Sequence, residues 1–311
     1  MVVNRVSKIA IIGGGGTVGS TAGFLLALNG VADEVCLIDI NRNLALNHVM
    51  DMENAIAERS ATRVYAGDMS DLAQSDVIIV TASVPNRNVT SRLAFLEDNL
   101  KVMDKIGESI AKYAPEAVVV MASNPVDLLN YYLWRKFGLK REKCLGYTLN
   151  DSIRFAWAIR HVVGLDHKTK LFAPVIGEHG SSQVPLFSQV KADGKPLSLT
   201  TEQKEKVRQK IHNWFLEFNQ LQINRTSGWT SGVGLSEFCQ VLLDDQPQLV
   251  MASAILEGEY GLDGLSIGVP VMMARGGLRQ ILEWPLSDEE QKQFEASAKA
   301  LKEIASQTMT F

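Results

Sequence analysis

Short apolar runs alternate with longer amphipathic stretches through the first half of the chain. Residues 9–12, 35–38, 77–80 and 117–121 are apolar at every position, which predicts strands buried on both faces. Between them, residues 20–28, 44–57, 93–113 and 126–137 carry helical spacing. Strands of this kind alternating with helices predict a parallel sheet covered on both sides. Right-handed crossovers then favour a doubly wound sheet. Helix 20–28 is apolar enough to serve either a core or an interface.

The second half reads differently. Residues 151–163 predict a helix, 170–176 and 183–190 strands, 204–221 a long amphipathic helix and 234–243 a second one. Residues 265–273 predict a strand. A closing helix spans 287–307, with Ser287 and Glu290 spaced as a capping box. The change of pattern near residue 146 divides the chain into domains at 1–146 and 147–311.

Composition narrows the function classes. The 311 residues are 46% hydrophobic and 21% charged, enough apolar material for a sizeable core. A net charge of −4 without like-charge blocks argues against nucleic acid and anionic membranes. Cys36, Cys144 and Cys239 are odd in number and far apart, which argues against a disulfide framework and a zinc motif. Arg5 and Lys8 are followed by only four apolar residues, too few for a signal peptide, and no run reaches membrane-span length. A soluble cytoplasmic protein without bound metal is expected.

The first strand runs into Gly13-Gly14-Gly15-Gly16-Thr17-Val18-Gly19 and then into a helix. The first glycine makes the tight turn, Gly16 admits a pyrophosphate to the backbone, and Gly19 lets the helix approach the sheet. The helix N-terminus offers N–H donors to phosphate. Asp39 closes the next strand, where a carboxylate accepts from ribose hydroxyls and repels a 2′-phosphate. The combination predicts a Rossmann dinucleotide-binding unit selecting NAD.

Three further segments carry candidate chemistry, and a lone histidine completes them. Residues 81–92, beginning Thr81-Ala82, follow a parallel strand, are polar, and hold Arg87 and Arg92, as a lid closing over an anion would. Ser123-Asn124-Pro125 follows another strand and puts an amide at the same sheet edge. Asp151 and Arg154 share one face of a largely apolar helix. His179 stands between Gly177-Glu178 and Gly180, where an imidazole can do acid–base work near neutral pH. Taken singly, each also suits an ordinary turn, loop or surface pair.

Together, in this order and at these intervals, the five motifs resemble the L-lactate/L-malate dehydrogenase family of NAD-dependent L-2-hydroxy-acid dehydrogenases. The resemblance extends from Lys8 to the final helix and includes Leu256-Glu257-Gly258-Glu259-Tyr260-Gly261 and Ile267-Gly268-Val269-Pro270-Val271. It implies an α/β fold, a Rossmann doubly wound parallel sheet followed by an α+β substrate domain. His179 would carry the substrate proton, Asp151 would orient it, and Arg92 would polarise the carbonyl. Arg154 would grip the carboxylate, with Asn124 and Asn86 completing the substrate set. The implied NAD contacts are Gly13, Gly14, Gly16, Thr17, Val18, Gly19, Asp39, Thr81, Ala82, Ser123 and Asn124. A homodimer or homotetramer is also implied.

Three departures from the family pattern bear on substrate and regulation. Asn86 falls where lactate enzymes carry Gln and malate enzymes Arg. A short neutral side chain favours a monocarboxylic 2-oxo acid, pyruvate or a bulkier homologue. The adjacent Arg87 leaves oxaloacetate, and hence malate dehydrogenase activity, as the alternative. In Arg225-Thr226-Ser227-Gly228-Trp229-Thr230, either Ser227 or Thr230 could supply the family's small hydroxyl. Ala156 and Phe172 replace the two basic residues shared by lactate enzymes that fructose 1,6-bisphosphate activates, so no such activation is expected. A remote alternative, a non-catalytic NAD sensor, has no use for a base paired with an orienting carboxylate. An NAD- and metal-dependent glycosidase would need clustered ligands that the chain lacks.

Overall fold

The computed structural model describes residues 6–84, 92–223 and 226–309. Six strands form the first half: β1 (Lys8–Ile12), β2 (Glu34–Ile38), β3 (Arg63–Gly67), β4 (Val77–Val80), β5 (Val118–Met121) and β6 (Cys144–Tyr147). They pair in parallel in the order β3-β2-β1-β4-β5-β6, the doubly wound order that leaves a crevice at the carboxyl ends of β1 and β4. The side chains of β1, β4, β5 and β6 are buried throughout because helices cover both faces, while the edge strand β3 leaves Arg63 exposed. Those helices are α1 (Thr17–Leu28), α2 (Arg42–Ile56), α3 (Arg92–Tyr113), α4 (Val126–Phe137) and α5 (Leu149–Val163). α4 follows a cis Asn124–Pro125 bond and ends at Gly138, whose φ of 63° a side chain would strain.

The second half adds β7 (Leu171–Phe172), β8 (Val175–Gly177), β9 (Gln183–Pro185), β10 (Lys191–Ala192), β11 (Lys195–Pro196), β12 (Gln248–Glu257), β13 (Asp263–Ala274) and β14 (Gly277–Ile281). Helices α6 (Thr201–Gln220), α7 (Gly228–Leu243) and α8 (Asp288–Thr308) complete it. The β12–β13 hairpin docks antiparallel on β6, so the sheet continues through β12, β13, β8 and β9. β7, β10 and β11 make a separate small sheet. Gly268 of β13 opposes Gly177 of β8 so closely that a Cβ on Gly268 would lie 2.7 Å from the Gly177 carbonyl. That approach sets the hairpin carrying His179 against the main sheet.

Two predicted strands are corrected. The 170–176 run breaks at Ala173-Pro174 into β7 and β8, which join different sheets, because Pro174 has no N–H for a ladder. The 183–190 run is strand only to Pro185 and then turns into a 3₁₀ segment, Phe187–Gln189. Phe187 instead packs edge-to-face on Phe155 of α5, ring centres 4.9 Å apart, in a satellite core with Val207 and Ile211 of α6. Helix 234–243 is also longer than predicted, since α7 begins at Gly228. The closing helix is capped as expected: Ser287 accepts from the Glu290 N–H, and Glu290 accepts from the Ser287 N–H.

Candidate active site

The glycine turn is shaped by close contacts on all sides but one. A Cβ on Gly13 would lie 2.6 Å from the Ala82 nitrogen, and one on Gly19 would lie 2.8 Å from Thr81 Oγ1. Gly13 also holds φ +87°, so the turn needs glycine twice over. Gly16 is different. It is exposed, and only the Gly13 carbonyl, at 3.4 Å, lies near where its Cβ would be. As N-cap of α1 it offers no side chain to the helix, so the N–H groups of Thr17, Val18 and Gly19 face an open approach. That is a cradle for a pyrophosphate. Asp39 is fixed at the same edge, its carboxylate accepting from the Gly15 and Asn41 N–H groups at 2.9 Å each. Each oxygen keeps a lone pair for a ribose hydroxyl. These residues fit NAD.

Hydrogen bonds join this turn to the neighbouring loops. Thr81 donates to the Ile12 and Gly13 carbonyls, and Ser123 donates to the Ala82 carbonyl at 2.7 Å. Asn124, next in the chain, is exposed at the carboxyl edge.

On the far side stands His179. Its Nδ1–H donates to Asp151 Oδ2 at 2.6 Å, and its backbone N–H donates to Asp127 Oδ2 at 2.7 Å. Asp151 is 5% exposed and His179 17%, so this ion pair is shielded from water but reachable. Arg154 lies one helical turn from Asp151, its guanidinium 3.7 Å from Asp151 Oδ1. The guanidinium also stacks over the Trp214 ring of α6, 4.3 Å from the centroid. Burial opposes the imidazolium, but the charge and hydrogen bond of Asp151, with the charge of Asp127, outweigh it and raise the His179 pKa. The preceding residue anchors the turn: the Glu178 N–H donates to Ser297 of α8, and Ser182 donates to the Glu178 carboxylate.

A third bridge closes the circuit. Asn150 Nδ2 donates to Ser231 Oγ of α7 at 2.8 Å. Gly228 and Gly232 of α7 lie so close to Thr17 and Thr21 of α1 that Cβ atoms there would clash. Hydrogen bonds, close packing and chain neighbours therefore link Gly13 through Thr81-Ala82 and Ser123 to Asp127, His179, Asp151 and Asn150, and Asn150 to α7, which lies back against α1. The dinucleotide cradle, Asn124, His179, Asp151 and Arg154 are thus tied together by way of the loops that follow the carboxyl ends of β4 and β5.

Other expectations land as follows. Asn86 and Arg87 lie outside the described residues, as does Arg225. Arg92 is placed by its backbone alone, as the first residue of α3. Ser227 is the N-cap of α7, Thr230 is half-buried, and Trp229 is 69% exposed on the same first turn. Among the described residues no cluster of His, Cys, Asp and Glu could hold a metal. The sequence reading missed Asp127, Asn150, Trp214 and Ser231. Asp127 looks like an ordinary acidic residue in a helix's first turn. Its signal is its place two residues after Asn124-Pro125, at the sheet edge where the site forms.

The chain matches the family model for the lactate/malate dehydrogenase NAD binding domain over residues 7–146. It matches that for the lactate/malate dehydrogenase alpha/beta C-terminal domain over residues 148–311. It is 32% identical to a malate dehydrogenase of Natronomonas pharaonis over 301 residues, 96% of this chain and 98% of that one. It is also 32% identical to an L-lactate dehydrogenase of Latilactobacillus sakei over 309 residues, 97% of this chain and 95% of that one. A crystal structure of the Cryptosporidium parvum lactate dehydrogenase, complexed with lactic acid and NAD, superposes with a TM-score of 0.90 at 29% identity, covering 98% of each chain. With both halves matched, the chain belongs to the lactate/malate dehydrogenase family, NAD-dependent oxidoreductases that act on CH–OH groups.

Proposed function

We propose that this chain interconverts a small 2-oxo acid and its L-2-hydroxy acid, with His179 carrying the proton. The observation behind this reading is the 2.6 Å Asp151–His179 bond with Arg154 on the same carboxylate. With Nδ1 committed to Asp151, Nε2 is the nitrogen left to face substrate. Bound NAD supplies or takes the hydride. In the reducing direction Nε2–H gives its proton to the carbonyl oxygen, and Asp151 stabilises the imidazolium beforehand. In the oxidising direction neutral Nε2 accepts the hydroxyl proton. Arg154 holds the C1 carboxylate through two parallel N–H donors, and Trp214 limits the directions its plane can take. Asn124 orients substrate or nicotinamide. Arg92 polarises the carbonyl where charge develops.

For substrate, Asn86 supports a monocarboxylate: pyruvate or a bulkier 2-oxo acid. Arg87, together with relatives named malate dehydrogenase, supports oxaloacetate as the second reading. The two separate in an assay of NADH oxidation with pyruvate, branched or aromatic 2-oxo acids and oxaloacetate. The first reading expects a monocarboxylate to give the highest kcat/KM. A strong oxaloacetate preference, lost in Arg87→Ala and kept in Asn86→Ala, would establish the second.

The reading includes a homodimer or homotetramer in the cytoplasm. Exposed Leu44, Leu46 and Met50 on α2, and Trp229 and Val233 on α7, support self-association. Cys36, Cys144 and Cys239 are all free, which suits a reducing compartment. No helix among the described residues is long and apolar enough to cross a membrane. A monomeric mass by light scattering at micromolar concentration would refute the oligomer.

A further inference from the structure

Asp127 is a buried carboxylate directly behind the proton carrier, held by hydrogen bonds from neutral donors. It lies in the first turn of α4, 2% exposed. Oδ2 accepts the His179 backbone N–H at 2.7 Å, and Oδ1 accepts the Ser253 hydroxyl at 2.6 Å. Ser253 Oγ lies 2.7 Å from Ser266 Oγ, which accepts from Asn130 Nδ2 at 2.9 Å. Asp127 and Asn130 are three apart on α4, while Ser253 and Ser266 are adjacent on β12 and β13. The two serines are at most 2% exposed. A polar chain thus crosses an otherwise apolar helix–sheet interface and ends on the backbone of one residue, His179.

Such a network costs stability unless every member is satisfied. Packing alone would be served as well by an amide or an apolar side chain. Burial pushes the Asp127 pKa up to about 6, eased by Ser253 and the His179 N–H. A carboxylate raised from 3.8 when unfolded favours folding below about pH 4, and that contribution is lost as pH rises through about 6. At neutral pH the ionised group is therefore a burden on the fold. What it gives in return is a negative charge beside an imidazole that must become a cation.

We propose that Asp127 is a positioning residue for His179: it pins the Gly177–Gly180 turn and, with Asp151, keeps the imidazole protonated to higher pH than it would otherwise be. The inference rests on His179 being the proton carrier. The charged groups around that imidazole are Asp151 and Arg154 of α5, Asp127 of α4 and the adjacent Glu178. Arg154 works against the cation and both aspartates favour it. Asp127 differs from Asp151 in leaving Nδ1 and the tautomer untouched. It acts through charge and through backbone placement.

The test is Asp127→Asn, which can still accept from the His179 N–H while Ser253 turns its hydroxyl to Ser266. The readout is NMR titration of protein labelled in its histidine rings, the His179 signal being the one lost in His179→Asn. The expected result is a His179 midpoint at lower pH with an unchanged or higher Tm at pH 7.5. In NADH-driven reduction, the ratio of the rate at pH 6 to that at pH 9 should rise about threefold or more, the effect of half a pH unit. If Asp127→Asn does not fold, Ser253→Ala decides. It removes a donor, lets Asp127 stay protonated to higher pH, and should move the midpoint the same way by less. A parental midpoint in the variants that fold overturns the proposal, as does a lowered Tm with no change in titration. The titration needs no turnover, so an inactive parent would refute the proposed reaction separately from this inference.

Discussion

Replacing Asp151 by asparagine should disable proton transfer while leaving the cleft assembled. The Asp151–His179 bond is 2.6 Å and Asp151 is 5% exposed, so little solvent screens it. A hydrogen bond to a charged group contributes about 1.5–3 kcal/mol. In the transition state the imidazole is a cation, and losing the adjacent anion adds to this. A loss of about 2–4 kcal/mol corresponds to a fall of about 30- to 1,000-fold in kcat/KM for reduction. The loss should grow with pH. Asp151 is the main group raising the His179 pKa, so without it the imidazolium is depleted at lower pH. The introduced amide can also offer its N–H to Nδ1 and stabilise the wrong tautomer. The assay is steady-state NADH oxidation with the best 2-oxo acid from about pH 5.5 to 9.5, a window spanning the ordinary histidine range, after circular dichroism has shown native fold. A fall in kcat/KM under about threefold with an unmoved pH midpoint would refute the pairing as the source of basicity.

Other predictions concern the carboxylate grip, the glycine cradle and pH. Arg154→Lys keeps the charge but loses the fork and the stack on Trp214. KM for the oxo acid should rise about 10- to 150-fold, equivalent to about 1.5–3 kcal/mol, and an unchanged KM would contradict the assignment. Gly16→Ala meets only the Gly13 carbonyl, at 3.4 Å, so it should fold normally yet weaken NADH binding measured by fluorescence titration. An unchanged NADH Kd in that variant would show that the pyrophosphate does not approach there. Gly19→Ala drives a methyl into Gly13 and Thr81 and should lower stability by about 1–3 kcal/mol in a denaturant titration. For the parent, reduction should persist above the ordinary histidine range and fade as pH passes the raised His179 pKa, while oxidation gains over the same window. Stability from this histidine is complete below about pH 6.5 and is lost through the raised pKa. A reduction rate that rises and an oxidation rate that falls over that window would reject His179 as the proton carrier.

How much of this was legible depended on whether a segment's partners were local. β1, β2, β4 and β5 are apolar runs that a two-sided parallel sheet requires, and the glycine turn sits between two of the clearest elements in the chain. β12 hid because Ser253 interrupts its apolar pattern, and that serine exists for a hydrogen bond to Asp127, 126 residues away. The first turn of α7 hid for a related reason. Its glycines, serine and threonine are poor helix formers, yet Gly228 and Gly232 are what let α7 lie against α1. At the site, His179, Asp151 and Arg154 were readable from motif order, and the structure adds the contacts that join them. Asp127 offered only its place after Asn124-Pro125, because its partners come from the His179 hairpin and β12, which only the folded sheet brings to α4.

Direct hydride transfer between NADH and a 2-oxo acid beside His179 leaves an isotopic signature. NADH carrying deuterium at the transferable position should be incubated with the protein and each of pyruvate, a branched 2-oxo acid and oxaloacetate. The products are then resolved by chiral chromatography and mass spectrometry. The expected product is an L-2-hydroxy acid with deuterium on the carbon bearing the hydroxyl, formed far more slowly by His179→Asn. No deuterated hydroxy acid from any of these substrates, or the same yield from His179→Asn, would contradict this mechanism.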